Sequence, residues 1–258
     1  MEINFIRFLE QRLADDPPKR KGARTRLLLL IAAANVLSEQ GYHSLRLRDV
    51  TDRAGLAEGT IYAHFGDRPR VINEVMGTFL NDFLWNHLAA YSNLENRGRR
   101  AAAYSSLSQA MRHWFLLARE NQGLMRSSYQ MSDDEPTFAS QIQLFNFNWT
   151  RQVTLAYLQD DADADMGAAL LLTYAIKYMM NEMTRRLIIF PDPMLLGSLE
   201  KMGADDDVVA DALSLIWLRL LYPDEPMPTG VTGLLKDVMS WIMPQGAGEA
   251  SIPVPQIS

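Results

Sequence analysis

The sequence predicts an all-α fold with a helix-turn-helix near the N-terminus, on three observations. Apolar residues recur at helical spacing along most of the 258-residue chain, and no stretch alternates convincingly in the manner of a strand. Val50 to Phe65, VTDRAGLAEGTIYAHF, reads as one short helix that breaks at Ala54-Gly55-Leu56 and restarts as another.

In chain order, Ile3, Ile6, Leu9 and Leu13 mark a first helix, which Asp15-Asp16-Pro17-Pro18 ends. Lys19-Arg20-Lys21-Gly22 follows as a basic arm. Such an arm can lie along a minor groove or a phosphate strand, or it is a solvated linker behind an N-terminal helix docked on its own domain; both readings stay open. In the next pair of helices Val50 and Ala54 share one face, Gly55 suits the left-handed conformation that ends a helix, and Leu56 anchors the turn. Ile61 and Phe65 repeat the i, i+4 spacing, and Thr60, Tyr62 and His64 stand between them with groups that can donate outward. One stripe packs and the opposite face is offered to nucleic acid.

Beyond the head, a helix is expected from Arg68 to about Asn93, with Val71, Val75, Phe79, Phe83 and Leu94 near one stripe and a break at Asn96-Arg97-Gly98. Further helices are expected at about 99–119, 122–131, 136–159, 163–189, 205–221 and 232–243. Ala168 to Met183 and Val208 to Leu221 are apolar over more than one face and must be buried on several sides. Residues 244–258, with Pro253 and Pro255, read as a disordered tail.

Composition bounds the function. A hydrophobic content of 48% can bury a real core, and the absence of cysteine excludes disulfides, thiolate metal sites and cysteine nucleophiles. The apolar run Leu27 to Ala34 is far short of the ~18 residues of a membrane span, and the expectation is a soluble cytoplasmic protein with no membrane partner. The net charge of -6 divides unevenly: residues 17–70 hold ten Lys/Arg against five Asp/Glu, about +5, which leaves about -11 for the rest. A basic head on an acidic body concentrates phosphate attraction at one end.

Other chemistries fail on spacing. Asp161, Asp163 and Asp165 begin like a calcium loop, but Met166 and Leu172 stand where it needs Gly and Glu, and a helix start is the better reading. His43, His64, His87 and His113 form no HExxH pair, and no nucleophile elbow, phosphate loop or dinucleotide fingerprint is present. The chain is read as no enzyme, with no catalytic residue, no metal and no cofactor.

The region from about Arg24 to Ile72 resembles the DNA-binding domain of the TetR family of bacterial transcriptional regulators. The resemblance rests on Leu29-Leu30, Ala32-Ala33, Val36-Leu37 and Gly41-Tyr42 for the opening helix, and on Arg48-Asp49-Val50 and Ala54-Gly55-Leu56 for the second. Gly59-Thr60-Ile61-Tyr62, His64-Phe65, Arg68 and Val71 carry the third helix and its exit. Arg46 departs from the usual Ser or Thr before the second helix, so its cap is missing unless Ser44 supplies it. Thr51 replaces a small Ala and Arg68-Pro69 replaces Lys-Glu; Asp67 can cap the helix that follows, and Arg46 and Thr51 can bear on operator choice.

The resemblance implies an N-terminal three-helix DNA-binding domain (22–70) behind the first helix and arm (1–21), then a helical ligand-binding and dimerisation domain (71–243), then the tail (244–258). It implies phosphate contacts from Thr60, Tyr62, His64 and Arg68, and base contacts from Arg48, Ala57, Glu58 and Gly59. Glu58 also has the simpler reading of a favourable charge at a helix N-terminus. Partners would be double-stranded DNA, a second copy of the chain and a largely apolar or aromatic small molecule. The dimer is implied through the last two large helices, and also because one recognition helix reads too few base pairs.

The middle of the chain is rich in aromatic and Met residues, from which Trp114, Phe115, Tyr129, Phe145, Trp149 and Tyr178 are drawn as the candidate ligand pocket. The expected function is a ligand-responsive regulator, a repressor in the first instance. The alternative is a DNA-binding scaffold without a ligand that recruits a protein through its acidic body.

Overall fold

The computed structural model describes residues 1–92, 103–158, 165–223 and 225–242, and these contain helices and no strand. The helices are α1 (Phe5–Asp15), α2 (Lys21–Gln40), α3 (Leu47–Ala54), α4 (Glu58–Phe65), α5 (Arg68–Thr78), α6 (Trp85–Ser92) and α7 (Ala103–Glu120). They continue as α8 (Gln122–Asp134), α9 (Pro136–Leu158), α10 (Met166–Thr184), α11 (Pro193–Lys201), α12 (Asp206–Leu221) and α13 (Leu234–Ile242).

The long helix expected from Arg68 is continuous but not uniform, because Phe79–Leu84 forms a π-helical turn between α5 and α6. In that turn Phe79, Leu80, Phe83 and Leu84 all face the interior, continuing the buried spacing of Val71, Ile72, Val75 and Met76 in α5. A second π turn, Arg185–Ile189, extends α10 and buries Leu187, Ile188 and Ile189. Helix α11 was not expected, although Asp192 caps it with hydrogen bonds to the Met194 and Leu195 amides and Pro193 opens it. Leu94, the break at 96–98, the start of the helix expected from 163, and the tail lie outside the described residues.

Helix α1 is docked, not free. Phe5 and Leu9 are fully buried, and the Phe5 ring lies edge-on to Phe79 at 5.2 Å and to Phe83 at 5.5 Å. Asn121, at the α7–α8 junction, accepts from the Phe5 amide at 2.8 Å and donates to the Ile3 and Leu117 carbonyls at 2.7 and 2.9 Å. Asn4 caps α1 and donates to the Glu120 carbonyl at 2.9 Å. His87 Nε2 lies 2.9 Å from the Glu2 carbonyl, and its Nδ1 lies 3.0 Å from His113 Nε2. A carbonyl only accepts, so His87 donates from Nε2; when neutral it receives the His113 proton at Nδ1. Burial holds both imidazoles below the usual histidine range, with His113 down to about 4, where the neighbouring His87 and the N-terminal ammonium add to the effect.

Helix α2 is the hub. It packs on α1, α3, α5 and α8. At the α8 crossing a Cβ on Gly123 would stand 2.0 Å from the Ser38 carbonyl oxygen, so only glycine permits this approach. Ser127 donates to the Leu37 carbonyl at 3.1 Å, and Gln130 accepts from the Tyr42 amide at 3.1 Å. The head is thus tied to the body through α8 as well as through the helix leaving Arg68.

Helix α12 lies mainly along α7 and is covered by α13. Arg112 of α7 grips Asp211 of α12 at 2.6 Å, and Arg119 pairs with Asp206. Much of the apolar surface of α12 is buried within the chain, through Val209, Leu213, Leu215, Leu218 and Leu221, while Leu220 is exposed and Ile216 and Trp217 are half-buried. Helix α10 differs, since it packs on α9 yet leaves Leu171 and Tyr178 exposed. No helix among the described residues is long and apolar enough to cross a membrane.

Candidate functional site

The turn between α3 and α4 forms as its residues dictate. Gly55 sits in the left-handed region (φ 65, ψ 33), and the Leu56 amide donates to the Thr51 carbonyl at 3.0 Å. Val50 and Ile61 are buried on facing helices, and Phe65 closes the α4 stripe. Helix α3 starts at Leu47 with Arg46 as its N-cap and no side-chain cap; Ser44 does not supply one. Asp49 in its first turn offsets part of that loss by meeting the positive end of the helix dipole.

On the outer side, Ala57, Glu58 and Gly59 are exposed at the uncapped N-terminus of α4, and Tyr62 is 51% exposed one turn on. Thr60 and His64 are half-buried on either side of it. Arg48 of α3 is exposed and carries only a loose pair with Asp52 at 3.6 Å. These seven side chains and backbone positions share one end of the head, with free donors facing solvent. Thr51 is not among them: it is buried and its hydroxyl bonds back to the Arg48 carbonyl at 2.9 Å, so any effect on DNA passes through packing.

Arg68 is placed differently from the rest. Its Nε donates to the Leu45 carbonyl at 3.0 Å, a second guanidinium nitrogen bonds the Tyr42 carbonyl, and the group lies over the Tyr42 ring at 4.9 Å. It holds the α2–α3 loop against the start of α5, where Asp67 accepts from the Arg70 amide at 2.9 Å as the expected cap. Arg26 is a structural residue that sequence reasoning passed over. It pairs with Glu74 of α5, donates to the His64 carbonyl and lies 4.2 Å above the Phe65 ring, joining α2, α4 and α5.

The head's charge is unevenly spent. Arg26, Arg48, Arg53 and Arg70 have carboxylate partners, and Arg68 has carbonyls. Lys19, Arg20, Lys21, Arg24 and Arg46 are exposed with no carboxylate at ion-pair distance among the described residues. The basic arm is short, because α2 already begins at Lys21.

In the body, the six candidate pocket residues spread over four helices. Phe115 is core, Trp114 donates to Thr184 Oγ1 at 2.8 Å, and Phe145 lies edge-on to Trp85 at 5.7 Å. Tyr129 lies edge-on to Phe190, Trp149 is half-buried, and Tyr178 is 59% exposed and stacked on Tyr174 at 5.9 Å. Beside that stack lies Lys177, buried on α10, which sequence reasoning also passed over; its signal is a lone cation in the apolar helix Met166 to Met183.

Comparison with known proteins agrees with this geometry. A model of the family described as "Bacterial regulatory proteins, tetR family" matches residues 29–75, which run from α2 into α5. The HTH-type transcriptional repressor KstR2 of Rhodococcus jostii is 31% identical over 100 residues, which is 38% of this chain and 48% of that protein. The HTH-type transcriptional regulator TtgR of Pseudomonas putida is 24% identical over 195 residues, covering 71% of this chain and 90% of that one. The chain thus spans about half the length of the first of these relatives. A solved putative TetR-family regulator from Mesorhizobium loti shares the fold, with a TM-score of 0.55 at 17% identity over 78% of this chain and 98% of that chain. The left-handed glycine turn, the buried α4 stripe and the outward α4 face all lie within the matched segment, so residues 29–75 carry a domain of the TetR family of bacterial regulatory proteins.

Proposed function

We propose that this protein is a ligand-responsive transcriptional regulator, a repressor, that binds a palindromic operator as a homodimer and is released by a largely apolar or aromatic small molecule. The observation that carries the reading is the division of α4: Ile61 and Phe65 are fixed in the core while Ala57, Glu58, Gly59 and Tyr62 face solvent. A short helix held by one stripe with a polar, backbone-rich opposite face is shaped for a major groove.

In this reading Tyr62, Thr60 and His64 hold phosphates, Arg48 reaches a base edge, and Arg68 acts by fixing the loop that positions α3. The unpaired Lys19, Arg20, Lys21 and Arg24 supply non-specific attraction. The second copy packs on the last two large helices, where α10 leaves Leu171 and Tyr178 exposed and α12 leaves Leu220 exposed. An effector acts by favouring a body conformation whose two heads no longer match the half-site spacing, and the α2–α8 crossing transmits it.

The test is an electrophoretic mobility shift on the DNA flanking the protein's own gene, at several salt concentrations. Specific, salt-sensitive retardation is expected. Tyr62→Ala should lose roughly tenfold or more, the worth of about 1.5–3 kcal/mol for a hydrogen bond to a charged group. Equal binding to unrelated DNA at every salt concentration would refute the reading.

A further inference from the structure

Lys177 is 4% exposed, and its ammonium lies in a polar layer between α9 and α10. Its partners are neutral and long: the Asn146 carbonyl at 3.2 Å and Thr150 Oγ1 at 3.3 Å. The rings of Tyr174 and Tyr178 lie 5.9 and 5.7 Å from Nζ, stacked on each other. No carboxylate comes within ion-pair distance of it among the described residues. The hydroxyls of Thr150, Thr154 and Thr173, all buried, spend their protons on carbonyls of their own helices at 2.7, 2.9 and 2.9 Å.

A buried ammonium has three protons and costs several kcal/mol to desolvate unless a counter-charge meets it. Here two weak acceptors meet two of the protons and two tyrosine faces lie at cation–π distance, but no counter-charge answers the ammonium. Burial accordingly pulls the lysine down to about 8, still largely cationic at neutral pH. A methionine would fill the position at lower cost. Tyr178, whose ring lies 5.7 Å from Nζ, is itself more than half exposed.

We infer that Lys177, with Thr150, Tyr174 and Tyr178, forms a binding site for the carboxylate of an apolar or aromatic acid. The anion completes the ammonium's third hydrogen bond, and the acid's apolar part lies against the stacked tyrosines. This deepens the effector reading above, and rests on it, by naming the ligand's charge. Tyr178 also belongs to the exposed stripe assigned to the dimer contact, so occupancy and dimer geometry share a residue.

The test compares 4-butylbenzoate with its neutral isostere 4-butylbenzamide by isothermal titration calorimetry, on the full chain and on Lys177→Met. The wild type should bind the acid at least tenfold more tightly than the amide, and Lys177→Met should lose that preference while keeping its helical circular dichroism. Should the Met variant fail to fold, Lys177→Gln replaces it. Equal affinity of acid and amide for the wild type overturns the carboxylate site, as does a preference that survives in the variant or no binding of either compound. The mobility shift separates this from the wider reading: if the amide binds as tightly as the acid and still releases DNA, the effector function stands and only the Lys177 site falls.

Discussion

Substituting Gly123 by Ala should disrupt the α2–α8 crossing, where the head meets the body. The added Cβ would stand 2.0 Å from the Ser38 carbonyl oxygen and 2.7 Å from its carbon, whereas ordinary contact begins near 3.4 Å. The obstacle is backbone, so no rotamer change relieves it; α8 must move off α2 by about 1.4 Å. That movement pulls on the Ser127 bond to Leu37 and on the Gln130 bond to the Tyr42 amide, and loosens the packing of Leu124 and Met131. Overpacking of this kind costs roughly 1–3 kcal/mol and occasionally more, and the two strained hydrogen bonds place this site at about 3 kcal/mol. Urea denaturation followed by circular dichroism measures it. Gly77→Ala is the control, since it lies in α5 with nothing within 4 Å of its Cβ, and it should stabilise by about 0.5–1 kcal/mol. A Gly123→Ala variant as stable as wild type would refute the crossing geometry.

Asn121→Ala removes three hydrogen bonds, to Ile3 before α1, to Phe5 of α1 and to Leu117 of α7, and should cost about 2–3 kcal/mol, with faster amide exchange confined first to α1. His113 has a folded pKa of about 4 against 6.5 unfolded, so the unfolded state binds the proton more tightly between these values. Stability should therefore be complete above about pH 6.5 and fall towards pH 4, by about 2–3 kcal/mol for this group, and the melting temperature of His113→Leu should vary less across that window. Lys177 has the same sign, its pKa falling from 10.5 to about 8, so wild-type stability should rise between pH 8 and 10.5. Without ligand at pH 7, Lys177→Met should be more stable by up to about 3 kcal/mol in thermal or urea unfolding, and the gain should shrink above pH 8.

What was legible in the sequence was local. Gly55 needs a left-handed backbone, Val50/Ala54 and Ile61/Phe65 keep helical spacing, and Asp67 precedes a helix start, so the head follows from short-range rules. The Asp192-Pro193 start of α11 was equally local and was overlooked. The π turn at Phe79–Leu84 was not legible, because the same residues suit a regular helix; it carries the Phe79 and Phe83 rings that meet Phe5. Long-range partners were invisible for the same reason. Arg68 has the residue type and position of a phosphate ligand, yet the carbonyls of Tyr42 and Leu45 come to it from 26 and 23 residues away. Gly123 looks like any helical glycine until Ser38 is brought against it. Lys177 becomes informative only once its burial shows that no carboxylate accompanies it.

The proposed function requires the outward face of α4 to enter DNA in two copies. Hydroxyl-radical footprinting on the operator tests that most directly. Two protected patches are expected one helical turn apart, about 34–36 Å or a multiple of it, both lost in Tyr62→Ala while the variant keeps its helical content. A single patch, or protection unchanged in Tyr62→Ala, would contradict it.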